Sequence, residues 1–96
     1  MNMSITVKFI GALRHLSGAG KLDLDYEGCG SIGELVNELV DKLPVLKRSL
    51  IDQQLADPRP NALILVNGRE IGVLDGLGTK LRDGDEVVFV PVVHGG

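Results

Sequence analysis

The sequence predicts an α+β domain in which a mixed sheet of about five strands wraps over one main helix. Three observations carry that expectation. Two N-terminal stretches alternate apolar and polar residues with the period of two that marks half-buried strands. One central stretch repeats apolar residues at spacings of three and four, as an amphipathic helix does. Two further apolar runs of strand length follow it, one closed by Asn67-Gly68 and the other opened by Asp83-Gly84-Asp85.

Taken in order, Ile5, Val7 and Phe9 alternate with Thr6 and Lys8, giving a first strand. Gly11 to Gly20 reads as a turn with glycines at both ends. Leu22, Leu24 and Tyr26 then share one face of a second strand, and the pair reads as an antiparallel hairpin with a longer loop. Ser31 with Glu34 three residues later fits a capping box at a helix start. Ile32, Leu35, Val36, Leu39, Val40 and Leu43 form the apolar stripe of that helix, and Pro44 ends it near Leu43. Val45 to Asp52 carries a weaker helical pattern, with Leu46, Leu50 and Ile51 facing the core. Gln53 to Asn61, with Asp57-Pro58-Arg59-Pro60, reads as a loop. Ala62 to Val66 is a strand, Asn67-Gly68 a hairpin turn, and Arg69-Glu70-Ile71 a short return strand. Leu77 and Leu81 anchor the loop that follows. Val87 to Val90 is an unbroken β-branched and aromatic run that suits a strand covered on both faces. A helical crossover would set the first and last strands parallel and adjacent.

Composition excludes several classes. The 96 residues form one domain with a single core. Net charge is −3 with no Lys/Arg cluster, so nucleic-acid binding lacks its electrostatic footprint. One cysteine, Cys29, permits no internal disulfide and makes a structural zinc site an unpromising reading. No secretory leader is read before Ser4 and no apolar run approaches membrane-spanning length, so a cytoplasmic setting without membrane contact is expected.

The chain closes on Val90-Pro91-Val92-Val93-His94-Gly95-Gly96. Pro91 lacks an amide hydrogen, so ladder pairing should stop at or near it, and 91–96 would form a slim tail. Two terminal glycines are also what a frayed end looks like. Their sharper reading is a reactive carboxylate on Gly96, carried by a tail narrow enough to thread into another enzyme and pass close to a nucleotide phosphate.

Phe9 to Gly18, reading strand-x-x-x-Leu-Arg-x-Leu-x-Gly, and Leu81 to Gly96, reading Leu-x-Asp-Gly-Asp-Glu-Val-x-Phe-x-Pro-x-x-x-Gly-Gly, resemble the MoaD family of sulfur carriers. That family is the small subunit of molybdopterin synthase and has the ubiquitin-like β-grasp fold. Two departures stand out: the family often has two adjacent prolines where this chain has Pro91-Val92, so a less stiff tail base is expected. His94 replaces a residue that is usually small.

The resemblance implies a carrier rather than a self-sufficient enzyme. Gly96, preceded by Gly95, would be adenylated by a ubiquitin-activating-like adenylyltransferase that uses ATP and Mg, then converted to a thiocarboxylate by a sulfur donor. The large subunit of molybdopterin synthase would receive the sulfur. Phe89, Val90, Pro91, Val92, Val93 and His94 would contact these partners, with one of Phe89 and Val90 pointing inward and the other outward. No cofactor or metal is expected on the chain itself. Alternatives from the same tail chemistry are a protein modifier forming isopeptide bonds through Gly96, or a carrier for thiamine, cysteine or tRNA thiolation.

Other residues invite catalytic readings that do not hold at this level. Cys29 has no identifiable base partner, and His15 is read as solvated or salt-bridged. Gly11, Gly18 and Gly20 lack the Gly-Lys-Ser/Thr of a phosphate loop. Asp83, Asp85 and Glu86 suit a turn and lack a calcium-loop pattern. Lys80 and Arg82, taken as near the tail, could assist docking weakly.

Overall fold

The computed structural model describes residues 2–27, 30–52, 54 and 56–92. The elements are β1 (Asn2–Phe9), α1 (Ala12–Ser17), β2 (Lys21–Glu27), α2 (Ile32–Lys42), α3 (Val45–Leu50), β3 (Ala62–Val66), β4 (Arg69–Glu70) and β5 (Glu86–Pro91). Two 3-10 turns, Ile71–Val73 and Gly76–Gly78, connect β4 to the approach of β5. The sheet order is β2-β1-β5-β3-β4. β1 pairs antiparallel with β2 and parallel with β5, and β5 pairs antiparallel with β3. This is the ubiquitin-like β-grasp arrangement, with the last strand in the middle of the sheet.

The core follows from the sequence periods. Ile5, Val7 and Phe9 from β1 and Val87 and Phe89 from β5 are buried on the inner face. They meet Ile32, Leu35, Val36 and Leu39 of α2, and Leu46 and Leu50 of α3. Phe9 and Phe89 stack across the parallel pair, ring centroids 5.7 Å apart and planes inclined by 22°. α2 begins where the sequence places it, because the Ser31 hydroxyl accepts the Glu34 amide hydrogen at 3.3 Å. It stops at Lys42, with Leu43 as cap and Pro44 next.

Three expectations are corrected. Residues 11–20 contain the short helix α1 as well as a turn. Its ends are set by Gly11 (φ 60°) and by Gly18, which takes φ 77° while its amide bonds the His15 carbonyl at 3.3 Å. Ile71 does not extend β4 but is buried in the 3-10 turn, whose Gly72 amide is capped by the Glu70 carboxylate. β5 is not covered on both faces: Val87 and Phe89 are buried, whereas Val88 and Val90 are half-buried on the outer face.

Candidate functional site

The tail is delivered by β5, so the site is built from that strand outward. Its entry is a hydrogen-bonded knot. Gly84 turns the chain at φ 87°, and its amide bonds the Ser4 carbonyl at 2.8 Å. One Asp83 oxygen accepts the Ser4 amide at 2.7 Å. Asp85 accepts the Arg82 amide at 2.8 Å and the Asn67 side-chain amide at 2.9 Å, and Asn67 in turn accepts the Glu86 amide at 2.9 Å. The two aspartates are therefore occupied as turn-makers that register β5 against β1 and β3. Among the described residues, no group of three or more His, Cys, Asp or Glu could hold a metal ion.

From that knot, β5 runs about 17 Å at the usual strand rise to Pro91. Phe89 is wholly buried, so its side chain builds the core and offers no contact to a partner; the expectation of a partner contact there is corrected. Val90 points the other way and is half-buried. Pro91 pairs with Ala62, and the ladder runs one bond further, from the Val92 amide to the Asn61 carbonyl at 2.9 Å. Val93, His94, Gly95 and Gly96 lie outside the described residues, as does Cys29. His15 is exposed on α1. Lys80 and Arg82 do not flank the tail. Arg82 is bonded into the Asp85 knot and Lys80 bridges to Ser31, so both stand at the opposite end of β5.

To Val90 and Val92, expected as partner contacts, the outer face of the sheet adds Ile10, Leu63, Leu65 and Val88, which the sequence reading did not single out. Val90 is level with Leu63, and Val88 with Leu65. Ile10 follows Phe9 and bonds the Phe89 carbonyl through its amide at 3.1 Å, which sets it beside Val90. Ile10, Leu63 and Val92 are 46%, 42% and 41% exposed. Together these side chains make an apolar strip that leads to the root of the tail. At its far rim Lys8 and Glu86 form an ion pair at 3.0 Å. The strip was legible in one respect: all five residues of Ala62–Val66 are apolar, although a half-buried strand needs apolar residues only at alternate positions.

Clefts elsewhere do not compete with this arrangement. One of about 560 Å³ is lined by Pro44, Lys47, Arg48, Ile51, Asp52 and Ala56. A second of the same volume lies among Asn67, Arg69, Lys80 and Arg82 at the knot end. Neither includes a residue of β5 itself.

The sequence profile of the ThiS family matches residues 7–96. The chain belongs to the ThiS family. It is 30% identical over 94 residues to small archaeal modifier protein 3 of Haloferax volcanii, covering 98% of this chain and 100% of that protein. It is also 30% identical over 97 residues to ubiquitin-related modifier 1 of Schizosaccharomyces pombe, covering 98% of this chain and 100% of the relative. The solution structure of small archaeal modifier protein 1 from Methanosarcina acetivorans superposes with a TM-score of 0.81 at 31% identity, over 100% of this chain and 99% of that one. This ThiS-family chain is thus one of the ubiquitin-like sulfur carriers and modifiers. No helix among its described residues is long and apolar enough to cross a membrane.

Proposed function

We propose that this chain carries an activated carboxylate, and that Gly96 is the atom-bearing residue of the chemistry. The observation that carries the reading is the apolar strip running along the outer sheet face to the tail root, ahead of a Gly-Gly terminus. A partner that grips the strip holds the terminus within its own active site.

A free carboxylate is a poor acyl donor because its leaving group would be oxide. An adenylyltransferase partner using Mg-ATP lets a Gly96 carboxylate oxygen attack the α-phosphorus, expelling pyrophosphate and leaving an acyl adenylate. A persulfide from the sulfur donor attacks the carbonyl and AMP leaves, giving an acyl disulfide. A thiol then splits the S–S bond, leaving a thiocarboxylate on Gly96 and a disulfide on the donor. This chain supplies docking and reach, and its partners supply acid, base and metal. In the first reading the sulfur passes to a molybdopterin precursor held by a synthase large subunit, as the sequence motifs suggest. In the second, a lysine amine of another protein attacks the activated carbonyl to form an isopeptide bond. The names of the two modifier relatives, each aligned over 98% of this chain, favour that second reading.

Intact-mass spectrometry after incubation with the organism's adenylyltransferase, Mg-ATP and a sulfur donor tests the common step. The expected product is the chain with one oxygen exchanged for sulfur at Gly96. Conjugates of Gly96 to lysines of other proteins, without a stable thiocarboxylate, would select the modifier. A chain lacking Gly96 that still transferred sulfur would overturn both.

A further inference from the structure

We propose that the root of the tail is a rigid collar in which Gly11 and the main-chain carbonyl of Asn61 are positioning groups that aim residues 93–96 at a partner's reacting atoms. The inference rests on the carboxylate-carrier reading and adds to it the groups on this chain that set the direction of delivery.

Pro91, whose ring fixes φ, is held from two sides. On the β1 side the Ile10 amide bonds the Phe89 carbonyl at 3.1 Å, and the next residue is Gly11 at φ 60°, ψ −132°. That backbone region is open to glycine and strained for other L-residues. A Cβ added at Gly11 would also stand 3.3 Å from the Pro91 ring carbon Cγ, tighter than ordinary van der Waals contact. Backbone conformation and close approach therefore impose glycine at the same position. On the β3 side the Val92 amide donates to the Asn61 carbonyl at 2.9 Å.

Asn61 is itself held in place. Its amide and that of Ala62 both bond the carbonyl of buried Pro58, at 3.0 and 2.9 Å. Asp57 and Arg59 lock the preceding turn with a guanidinium–carboxylate fork, Arg59 Nε standing 2.9 Å and 3.0 Å from the two Asp57 oxygens. Where the resembled family often places a second proline, this chain has Val92, whose amide hydrogen is bonded. Stiffness that a ring would supply is supplied here by a bond to the 57–61 loop, so the tail base is not the loosened one that the loss of a proline suggested.

The consequence is a short lever. Four residues lie beyond Val92, and fully extended they span at most about 14 Å. Reacting groups tolerate little misplacement, and an error of about 1 Å can cost about 100-fold in rate. A collar that fixes where and in which direction the lever starts therefore acts on turnover more than on docking.

The test uses the full chain with its adenylyltransferase, reading docking Kd and the kcat of ATP–pyrophosphate exchange separately. Ligation at Cys29 of a synthetic 1–28 segment gives Gly11→Ala and its mirror-image counterpart with D-alanine, which accepts positive φ. Gly11→Ala should lower kcat about 10- to 100-fold with Kd changed less than about twofold, and the D-alanine chain should recover most of the rate. Should Gly11→Ala fail to fold, an ester replacing the 91–92 amide removes the Val92 donor alone and should show the same split. Wild-type kcat in the folded Gly11→Ala chain or in the ester overturns the collar. If the unaltered chain is never activated, the carrier reading fails instead, and hydrogen exchange still decides the collar: Val92 amide protection in the unaltered chain that falls in Gly11→Ala supports it, and an unprotected Val92 amide overturns it.

Discussion

Phe89 and Leu63 show how one residue of register separates stability from recognition. Phe89 is fully buried against Phe9, so Phe89→Ala should cost about 3–5 kcal/mol in chemical denaturation. Leu63 pairs with Val90 on the outer face and is half-open, so Leu63→Asp should leave stability nearly unchanged while weakening docking to the adenylyltransferase at least about tenfold. Isothermal titration alongside thermal unfolding separates the two effects. Asp57 acts at a distance from both. The hydrogen bond from the Arg59 side chain holds its carboxyl below the ordinary value of 3.8, against a smaller opposing effect of burial. A depressed carboxylate stabilises the fold above its unfolded pKa, and that contribution is lost as pH falls through the lower folded value. Acidification from pH 5 downward should therefore loosen the 57–61 loop and lower the protection factor of the Val92 amide, measured against the unstructured exchange rate at each pH, and Asp57→Asn should abolish that change in protection.

At the level of elements, the β5 entry turn is the most heavily bonded part of the strand's surroundings. Gly84 occupies φ 87°, so Gly84→Ala should destabilise by about 1–2 kcal/mol, read as a lower urea midpoint with an unchanged m-value. The long helix α2 was legible because six apolar positions repeat over three turns and Ser31 caps them. α1 was not, because only Leu13 of its six residues is buried and the bracketing glycines read as a loop. The outer strip was obscured in β5 for a related reason: valine at 88 and 90 satisfies the same β-branched pattern whether its face is covered or open. Chain order gave no hint that Lys80 and Arg82 lie at the far end from the tail, since a strand's direction carries sequence neighbours apart by its whole length. The collar escaped the sequence reading because Gly11, Asn61 and Pro91 are distant in sequence and Asn61 contributes a carbonyl rather than a side chain.

For the whole molecule, β5 ends at Pro91 and holds β1 and β3 together from the middle of the sheet. A chain ending at Val92 should therefore unfold within a few degrees of the full-length protein while accepting no adenylate, whereas one ending at Asp85 should not fold at all. Circular dichroism melts and ATP–pyrophosphate exchange on the two truncations check this. The parallel pairing of Thr6 with Glu86 joins the two ends of the chain across nearly its full length. Such long-range closure is a late event in folding. Until β5 is seated between β1 and β3, Pro91 has neither Gly11 nor Asn61 beside it. The handle proposed for an activating enzyme thus exists only on a folded molecule, which would make completion of the fold a licence for the chemistry that follows.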